Sequence, residues 1–285
     1  MVSISNKWEN EVKVFWVVFL LLISQAVWAE EERVSTEQLQ LGVSLGFGGK
    51  QLPIRGLDNI IIPVVPHIQY YTDNWYFDNF SVGYNLLENE SVLIDIVGTL
   101  NHDGFYFELD GLSRFLAEPA IRDKPRPSQP PPPDFVPSKP IERNLSYMGG
   151  FGVTAPLSFA TFSGGVFTDV SGVHDGQEIR FSVLKGESFG RWQVSGEMGM
   201  TYKTQEIANY YFVQRDNEFT TRVARIELDD LLNTHVKFKV QYWVSEHTSI
   251  GAILTYEKLD SELRKSVIVD RTELLSGFLG VTRWF

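Results

Sequence analysis

A chain of 285 residues without cysteine must draw any side-chain chemistry from its hydroxyls, its carboxylates and its five histidines. The histidines are His67, His102, His174, His235 and His247, scattered one per segment. Only His174-Asp175 sets an imidazole beside a carboxylate, in the run Asp169-Val170-Ser171-Gly172-Val173-His174-Asp175-Gly176. Ser171, His174 and Asp169 have the residue types of a hydrolase: a nucleophile, a base and a carboxylate to orient it. Neighbours on one tight turn rarely converge on a common point, however, and Asp-Gly is ordinary turn chemistry. No HExxH, Walker loop, GxSxG or dinucleotide fingerprint occurs, and the acidic residues are too dispersed for a calcium loop. The absence of cysteine excludes thiolate catalysis, Fe–S clusters and a disulfide framework. A formal charge of −11 argues against a nucleic-acid partner, because a protein that holds phosphates needs a positive face. The expectation is a protein that is not an enzyme, with no catalytic, cofactor-binding or metal-binding residues to name.

The elements around those residues begin with an export signal. Val14 to Ser24 is the only long apolar run, preceded by Lys7 and Lys13 and followed by Ala26-Val27-Trp28-Ala29-Glu30. Its eleven residues fall short of the roughly 20 that a membrane-spanning helix needs. A basic start, a short apolar stretch and a small final residue describe a secretory signal of the Sec type, residues 1–29, cleaved after Ala29. Cleavage removes two lysines and two glutamates, so the charge stays at −11 over the single domain 30–285.

Beyond the signal, apolar residues alternate with small or polar ones instead of recurring at helical spacing. Leu39, Leu41, Val43, Leu45 and Phe47 oppose Gln40, Gly42, Ser44, Gly46 and Gly48. The same pattern runs through 191–202, 235–245 and 249–256. These runs are eight to twelve residues long, close to the roughly 9–11 residues of a tilted transmembrane strand. The mode in soluble sheets is about 5–6. Arg191, Glu197, Lys237, Lys239 and Gln241 fall on the polar face, where a wet lumen tolerates charge; Tyr70, Tyr84, Trp192, Tyr202 and Tyr256 fall near strand ends, as interfacial girdles do. Such a division of faces also explains how a chain with 13% aromatic residues has a mean hydropathy of only −0.11.

The fold expected is therefore all-β, a transmembrane antiparallel up-and-down barrel. Twelve strands are expected, at 39–48, 60–71, 75–84, 91–100, 105–110, 144–155, 159–171, 177–186, 190–202, 235–245, 248–257 and 274–285. The strand at 105–110 is the weakest, and losing it with one other would leave ten. Connections at 72–74, 101–104, 156–158, 187–189 and 246–247 are short, and those at 49–59, 85–90, 111–143, 172–176, 203–234 and 258–273 are mostly longer. That asymmetry matches short periplasmic turns and longer outside loops. The Pro-rich stretch 117–143, with Pro130 to Pro133 at its centre, is read as a solvated outside loop in extended conformation.

Two resemblances add to this reading. The chain ends Leu279-Gly280-Val281-Thr282-Arg283-Trp284-Phe285, and Phe285, Val281, Leu279 and Leu275 share a face. A terminal aromatic on an alternating last strand resembles the signal recognised by the barrel-assembly machinery, although Arg283 departs from the usual apolar residue. The order of Leu41-Gly42-Val43, Ile62-Pro63, Tyr70-Tyr71, Val82-Gly83-Tyr84-Asn85-Leu86, Asp169 to Gly176, Ala208-Asn209-Tyr210-Tyr211-Phe212 and the closing Gly277 to Phe285 resembles the MipA/OmpV family of Gram-negative outer-membrane proteins. The Pro-rich insert and Val213-Gln214 depart from it. The resemblance implies an outer-membrane barrel embedded in lipid that acts as a scaffold, with a peptidoglycan synthase and a lytic transglycosylase as partners; it carries over no catalytic residue. A narrow porin-like channel for small solutes is the alternative, and a hydrolase at the barrel rim is a third reading.

Overall fold

The computed structural model describes residues 37–57, 59–107, 141–215, 218 and 226–285. The signal segment with Ala29 lies outside the described residues, as does the Pro-rich stretch up to residue 140; its last three residues, Ile141 to Arg143, are described.

Thirteen strands form one antiparallel sheet: β1 Leu39–Lys50, β2 Ile60–Ile61, β3 Val64–Tyr71, β4 Trp75–Asp78, β5 Ser81–Glu88, β6 Leu93–Leu100, β7 Tyr147–Leu157, β8 Ala160–Asp169, β9 Gln177–Phe189, β10 Trp192–Lys203, β11 Leu231–Ser245, β12 Thr248–Lys258 and β13 Glu273–Trp284. Apart from β2 and β3, which both pair with β1, each pairs with its sequence neighbours, and β13 returns to β1 in an unbroken register from Gly42–Trp284 to Lys50–Ser276. The two-residue β2 pairs only with Gly49 and Lys50, and its row along β1 resumes as β3 after Pro63. The wall is thus a closed barrel of twelve strands, with no open edge between first and last.

The alternation of the sequence becomes two faces. Leu41, Leu45, Phe47, Phe151, Val166, Phe238, Leu254 and Leu279 are exposed on the outside. Tyr70, Trp192, Tyr202 and Tyr256 are exposed on the same face near the two rims, where amphipathic rings suit a membrane interface. Close approach of neighbouring strands depends locally on glycine. A Cβ on Gly150 would lie 1.9 Å from the carbonyl oxygen of Val166 on β8.

Two expected elements are corrected. The single strand expected at 75–84 is two, β4 and β5, because Asn79 adopts a left-handed backbone (φ 53°) and turns the chain with Phe80. Asn79 also ends the ladder: its N–H donates to Ile68 O (2.8 Å) and its Oδ1 accepts from Ile68 N (3.2 Å). The strand expected at 105–110 is not one, since Phe105, Tyr106 and Phe107 are helical and 108–110 lie outside the described residues. Three consecutive aromatics suit burial on all sides better than a two-faced strand, and Tyr106 and Phe107 are buried. The two corrections cancel in the strand count.

They also regularise the loops. Residues 72–74, 89–92, 158–159, 190–191 and 246–247 form the short connections on the side where β1 begins and β13 ends. The opposite side has 51–63, 101–146, 170–176, 204–230 and 259–272, with the tight turn at Asn79-Phe80 as the exception. The long-loop side also holds the hydrophobic core. Leu52, Ile54, Tyr106, Phe107, Ile141, Ile207, Tyr211, Phe212, Leu228, Leu259, Leu263 and Ile268 pack together there, with strand ends such as Met148, Leu231 and Leu274 beneath.

Candidate functional site

The long loops build a cap, and its centre is helix α1, Gln205–Phe212. Ile207, Ala208, Tyr211 and Phe212 of α1 are buried among the loop residues. Glu206 sits in its first turn, where a carboxylate complements the helix dipole. At its other end the buried Arg143 donates from Nε to Tyr210 O (2.9 Å) and from Nη2 to Val213 O (3.0 Å). Arg143 also pairs with Glu218 and lies over the Phe107 ring at 5.7 Å. The side chain of Ser266 donates to Phe212 O, tying the β12–β13 loop to the same helix end.

The segments Asp169–Gly176 and Ala208–Phe212, which carry the family resemblance, meet in this cap. Asp169 organises its own loop: Oδ1 accepts from Ser171 N (2.8 Å) and Ser171 Oγ (2.5 Å). Oδ2 accepts from the N–H groups of Val173, His174 and Asp175 at 2.6, 2.7 and 3.1 Å. Gly172 (φ 70°) and Asp175 (φ 57°) supply the left-handed turns that aim those donors inward. His174 then points into the cap, its ring 5.6 Å from that of Tyr211 and 6.0 Å from that of Tyr210. Burial lowers its pKa below the ordinary histidine range.

The geometry defines what His174 can do. Its Nδ1 accepts from Gly176 N (3.0 Å), so a neutral ring carries its proton on Nε2, and Nε2 lies 2.8 Å from Ser146 Oγ. The ring therefore donates to Ser146 and has no lone pair there to take a proton from it. Ser171, the nucleophile suggested by the sequence, gives its hydroxyl proton to Asp169. Ser146, His174, Tyr211 and Asp169 form a buried polar pin between loop, strand and helix. Sequence reasoning missed Ser146, which lies 28 residues from His174 and in no motif.

Beneath the cap lies a layer of paired charge that joins it to the wall. Lys203 at the end of β10 donates to both carboxylate oxygens of Asp103, at 2.8 and 2.6 Å. Asn101 Nδ2 donates to Glu178 Oε1 on β9 (2.8 Å), and Arg180 Nε donates to Glu178 Oε2 (2.8 Å). Asp103, Asn101, Glu178 and Lys203 are all buried. Arg180 stacks on Phe167 at 4.6 Å and Lys50 lies over Tyr106 at 4.9 Å. His102 beside them keeps part of its surface open, and its pKa is lowered from the ordinary histidine value by desolvation and then by Arg180, Lys50 and Lys203. The sequence offered no pattern for this layer, whose members come from five separate segments.

Lower in the barrel, Glu197 on β10 accepts from Lys237 (3.1 Å) and lies 2.9 Å from His235 Nε2, both on β11. Lys239 and Gln241 continue the same row of β11, and Gln241 reaches Ser249 Oγ on β12 (2.9 Å). Arg191 sits in the exposed Gly190-Arg191 turn at the short-turn rim, where its carbonyl accepts from Trp243 N (2.8 Å). Ser44 links His67 and Thr282 at 2.7 Å each across the β3–β1–β13 seam. Leu275, Leu279, Val281 and Phe285 share the exposed outer face of the last strand with Arg283, which donates to Thr248 Oγ1 (2.7 Å).

Comparison with known proteins places this architecture. The provisionally named outer membrane protein YiaT is 20% identical over 258 residues in both Escherichia coli O157:H7 and K12, covering 90% of this chain and 96% of the relative. Among solved structures, an outer membrane channel from Pseudomonas putida F1 is similar at 8% identity and TM-score 0.39, covering 91% of this chain and all of that one (100%). LpxR from Salmonella typhimurium is similar at 10% identity and TM-score 0.38, covering 87% of this chain and 99% of that one. The family described as MltA-interacting protein MipA matches residues 41–285, the whole wall with its cap, and the chain belongs to that family of outer-membrane barrels.

Proposed function

We propose that the protein is a capped, non-enzymatic outer-membrane barrel that acts as a scaffold for murein-processing enzymes of the periplasm. The observation that carries this reading is the cap itself, a hydrophobic core joined to the wall by the buried Lys203–Asp103 and Asn101–Glu178 contacts. A cap held in this way favours a barrel that works by contact over one that works by flow. The family's description as an MltA-interacting protein supplies the partner class. With short turns on the periplasmic side, as in bacterial outer-membrane barrels, the chain ends and the turns at 72–74, 89–92, 158–159, 190–191 and 246–247 face those enzymes. Affinity capture from envelope extracts tests the reading. A lytic transglycosylase and a peptidoglycan synthase are expected to be recovered, and to remain so when 117–140, the part of the Pro-rich stretch that leaves Ile141 and Arg143 of the cap in place, is deleted from the opposite side. Recovery of neither would overturn the scaffold, and loss on that deletion would overturn the orientation.

The charged row Glu197, Lys237 and Lys239 supports a second reading, a narrow channel with a wet lumen. Refolded protein in a planar bilayer separates the two. Silence is expected of the capped scaffold, whereas steady current with selectivity altered by Lys237→Glu would establish the channel.

A further inference from the structure

We infer that the barrel lumen binds a short zwitterionic peptide across its width, with the amino end at Asp78 and Asp95 and the carboxylate end at Lys237 and Lys239. All four face inward by register, Asp78 beside Gln69, Asp95 beside Gly152, and the two lysines beside Glu197 and Ser195. The sheet order puts β11 six strands from β5 in either direction, so it stands opposite the β4–β6 wall. Height follows from the pairing. From Asp95, third in β6, the row runs through Gly152, Gly165, Arg180 and Thr201 to Asn233, third in β11. It climbs from the short-turn end to the long-loop end over those five strands, by about 15 Å at a tilt of about 40°. Lys239 lies six residues below Asn233 on β11, again about 15 Å along a strand so tilted. It is therefore level with Asp95 across the lumen.

Charge is unbalanced between the two walls. Asp78 accepts only from neutral donors, Asn79 Nδ2 (2.8 Å), the Tyr71 hydroxyl (3.4 Å) and Gln69 Nε2 (3.5 Å). Asp95 Oδ1 has no hydrogen-bond partner, and among the described residues neither carboxylate forms an ion pair, whereas Asp103, Glu178 and Glu197 each have a cation. On β11 Glu197 already takes Lys237 and His235, and Lys239 adds a further cation whose register neighbours, Ser195 and Ile253, are uncharged. A field therefore crosses the lumen from β11 toward β4–β6. His67 on β3 lies within electrostatic reach of both Asp78 and Lys239, so the two poles face one continuous space.

That space is kept open by glycine. A Cβ on Gly42, Gly48 or Gly199 would come within 2.6–2.7 Å of the Trp284, Phe278 or His235 ring, so these inward rings lie along the wall and not across the lumen. Lys237 keeps 42% of its side-chain surface open. A closed sheet of twelve strands is about 24 Å across, and a lysine and an aspartate reach about 10 Å of that between them, leaving about 14 Å from ammonium to carboxylate. A single amino acid is too short to meet both poles, and a peptide of three or four residues at about 3.5 Å each spans them. Among the described residues the short-turn side has connections of two to four residues, which cannot fold over such a width, while the cap covers the other side. The peptide enters from the short-turn side. The site depends neither on the scaffold reading nor on which compartment that side meets.

Isothermal titration calorimetry of the full chain refolded in detergent tests the site, with trialanine as the probe. One trialanine per barrel is expected to bind, and N-acetyl-trialanine and trialanine amide, each lacking one charge, at least tenfold more weakly. Asp78→Asn with Asp95→Asn is expected to bind trialanine no better than the N-acetyl peptide, and Lys239→Gln no better than the amide, with both variants heat-modifiable as wild type is. No heat from trialanine, equal affinity of wild type for the three peptides, or variants that keep the wild-type preference would overturn the site. Silence in a planar bilayer together with trialanine binding would support the site and the scaffold alike. A steady current that trialanine blocks would overturn the scaffold and keep the site.

Discussion

Lys203 Nζ grips both carboxylate oxygens of Asp103, a residue 100 positions earlier in the chain, and the pair joins the barrel wall to the loop that follows β6. Both side chains are buried, and removing one partner of such a pair typically costs about 3–5 kcal/mol because the other charge is left uncompensated. Lys203→Met is therefore expected to loosen the cap and lower the temperature at which the heat-modified band forms. A bilayer current absent from wild type should accompany it. Lys203→Met with Asp103→Leu should recover most of the loss, because two apolar groups can replace a buried ion pair at little cost. If the double variant conducts as much as the single one, the pair is not what holds the cap.

The layer around His102 gives the cap an acid limit. Desolvation and the surrounding cations hold this imidazole below the ordinary value near 6.5 in the folded protein. An unfolded or opened cap therefore takes up a proton that the closed cap refuses. Stability is full above about pH 6.5 and declines as the pH falls below it. His174, also lowered by burial, acts in the same direction. Limited proteolysis of the loops in detergent should accelerate between pH 6.5 and 4, and His102→Gln should flatten that rise.

Ser146 is expected to be inert toward a fluorophosphonate probe, because its oxygen faces the Nε2 of His174 while Nδ1 is held by Gly176 N. Ser146→Ala deprives the buried His174 donor of its acceptor, a loss of about 1–3 kcal/mol. Urea unfolding should show that loss, with Tyr211 retaining its other partner, Asn144 O. Probe labelling that disappears in Ser146→Ala would give this residue a nucleophilic role that the hydrogen bonds do not support.

Strands were legible in the sequence where one face meets lipid and the other a polar lumen. The alternation of Trp192 to Tyr202 and of Val236 to Val244 places β10 and β11 to within a few residues. It failed where a local interaction overrode it. Nothing in the pattern of 75–84 marks the turn at Asn79, whose side chain and backbone both bond to Ile68 across the ladder. The cap was the least legible part, because its contacts join residues far apart in sequence: Asn101 with Glu178, Arg143 with Glu218, Ser146 with His174. The family motifs around Asp169 and Tyr210 fall within it, but in the sequence they are separate segments, with no sign that His174 and Tyr211 touch.

Glycine on this wall is not uniform in its role, and one comparison separates close approach from mere tolerance. A Cβ on Gly150 would lie 1.9 Å from Val166 O and 2.8 Å from Phe167 Cα, so β7 and β8 would have to part along the ladder that joins them. Gly196, mid-strand on β10, has nothing within 4 Å of where its Cβ would stand. Gly150→Ala is expected to destabilise the barrel by about 1–3 kcal/mol, the usual range for overpacking. Gly196→Ala should be neutral or stabilising by about 0.4–1 kcal/mol, through the reduced freedom of the unfolded chain. Folding into lipid vesicles, followed by the shift of the heat-modifiable band in urea, compares the two directly. Equal behaviour would mean that the β7–β8 approach is looser than the Gly150–Phe167 register places it.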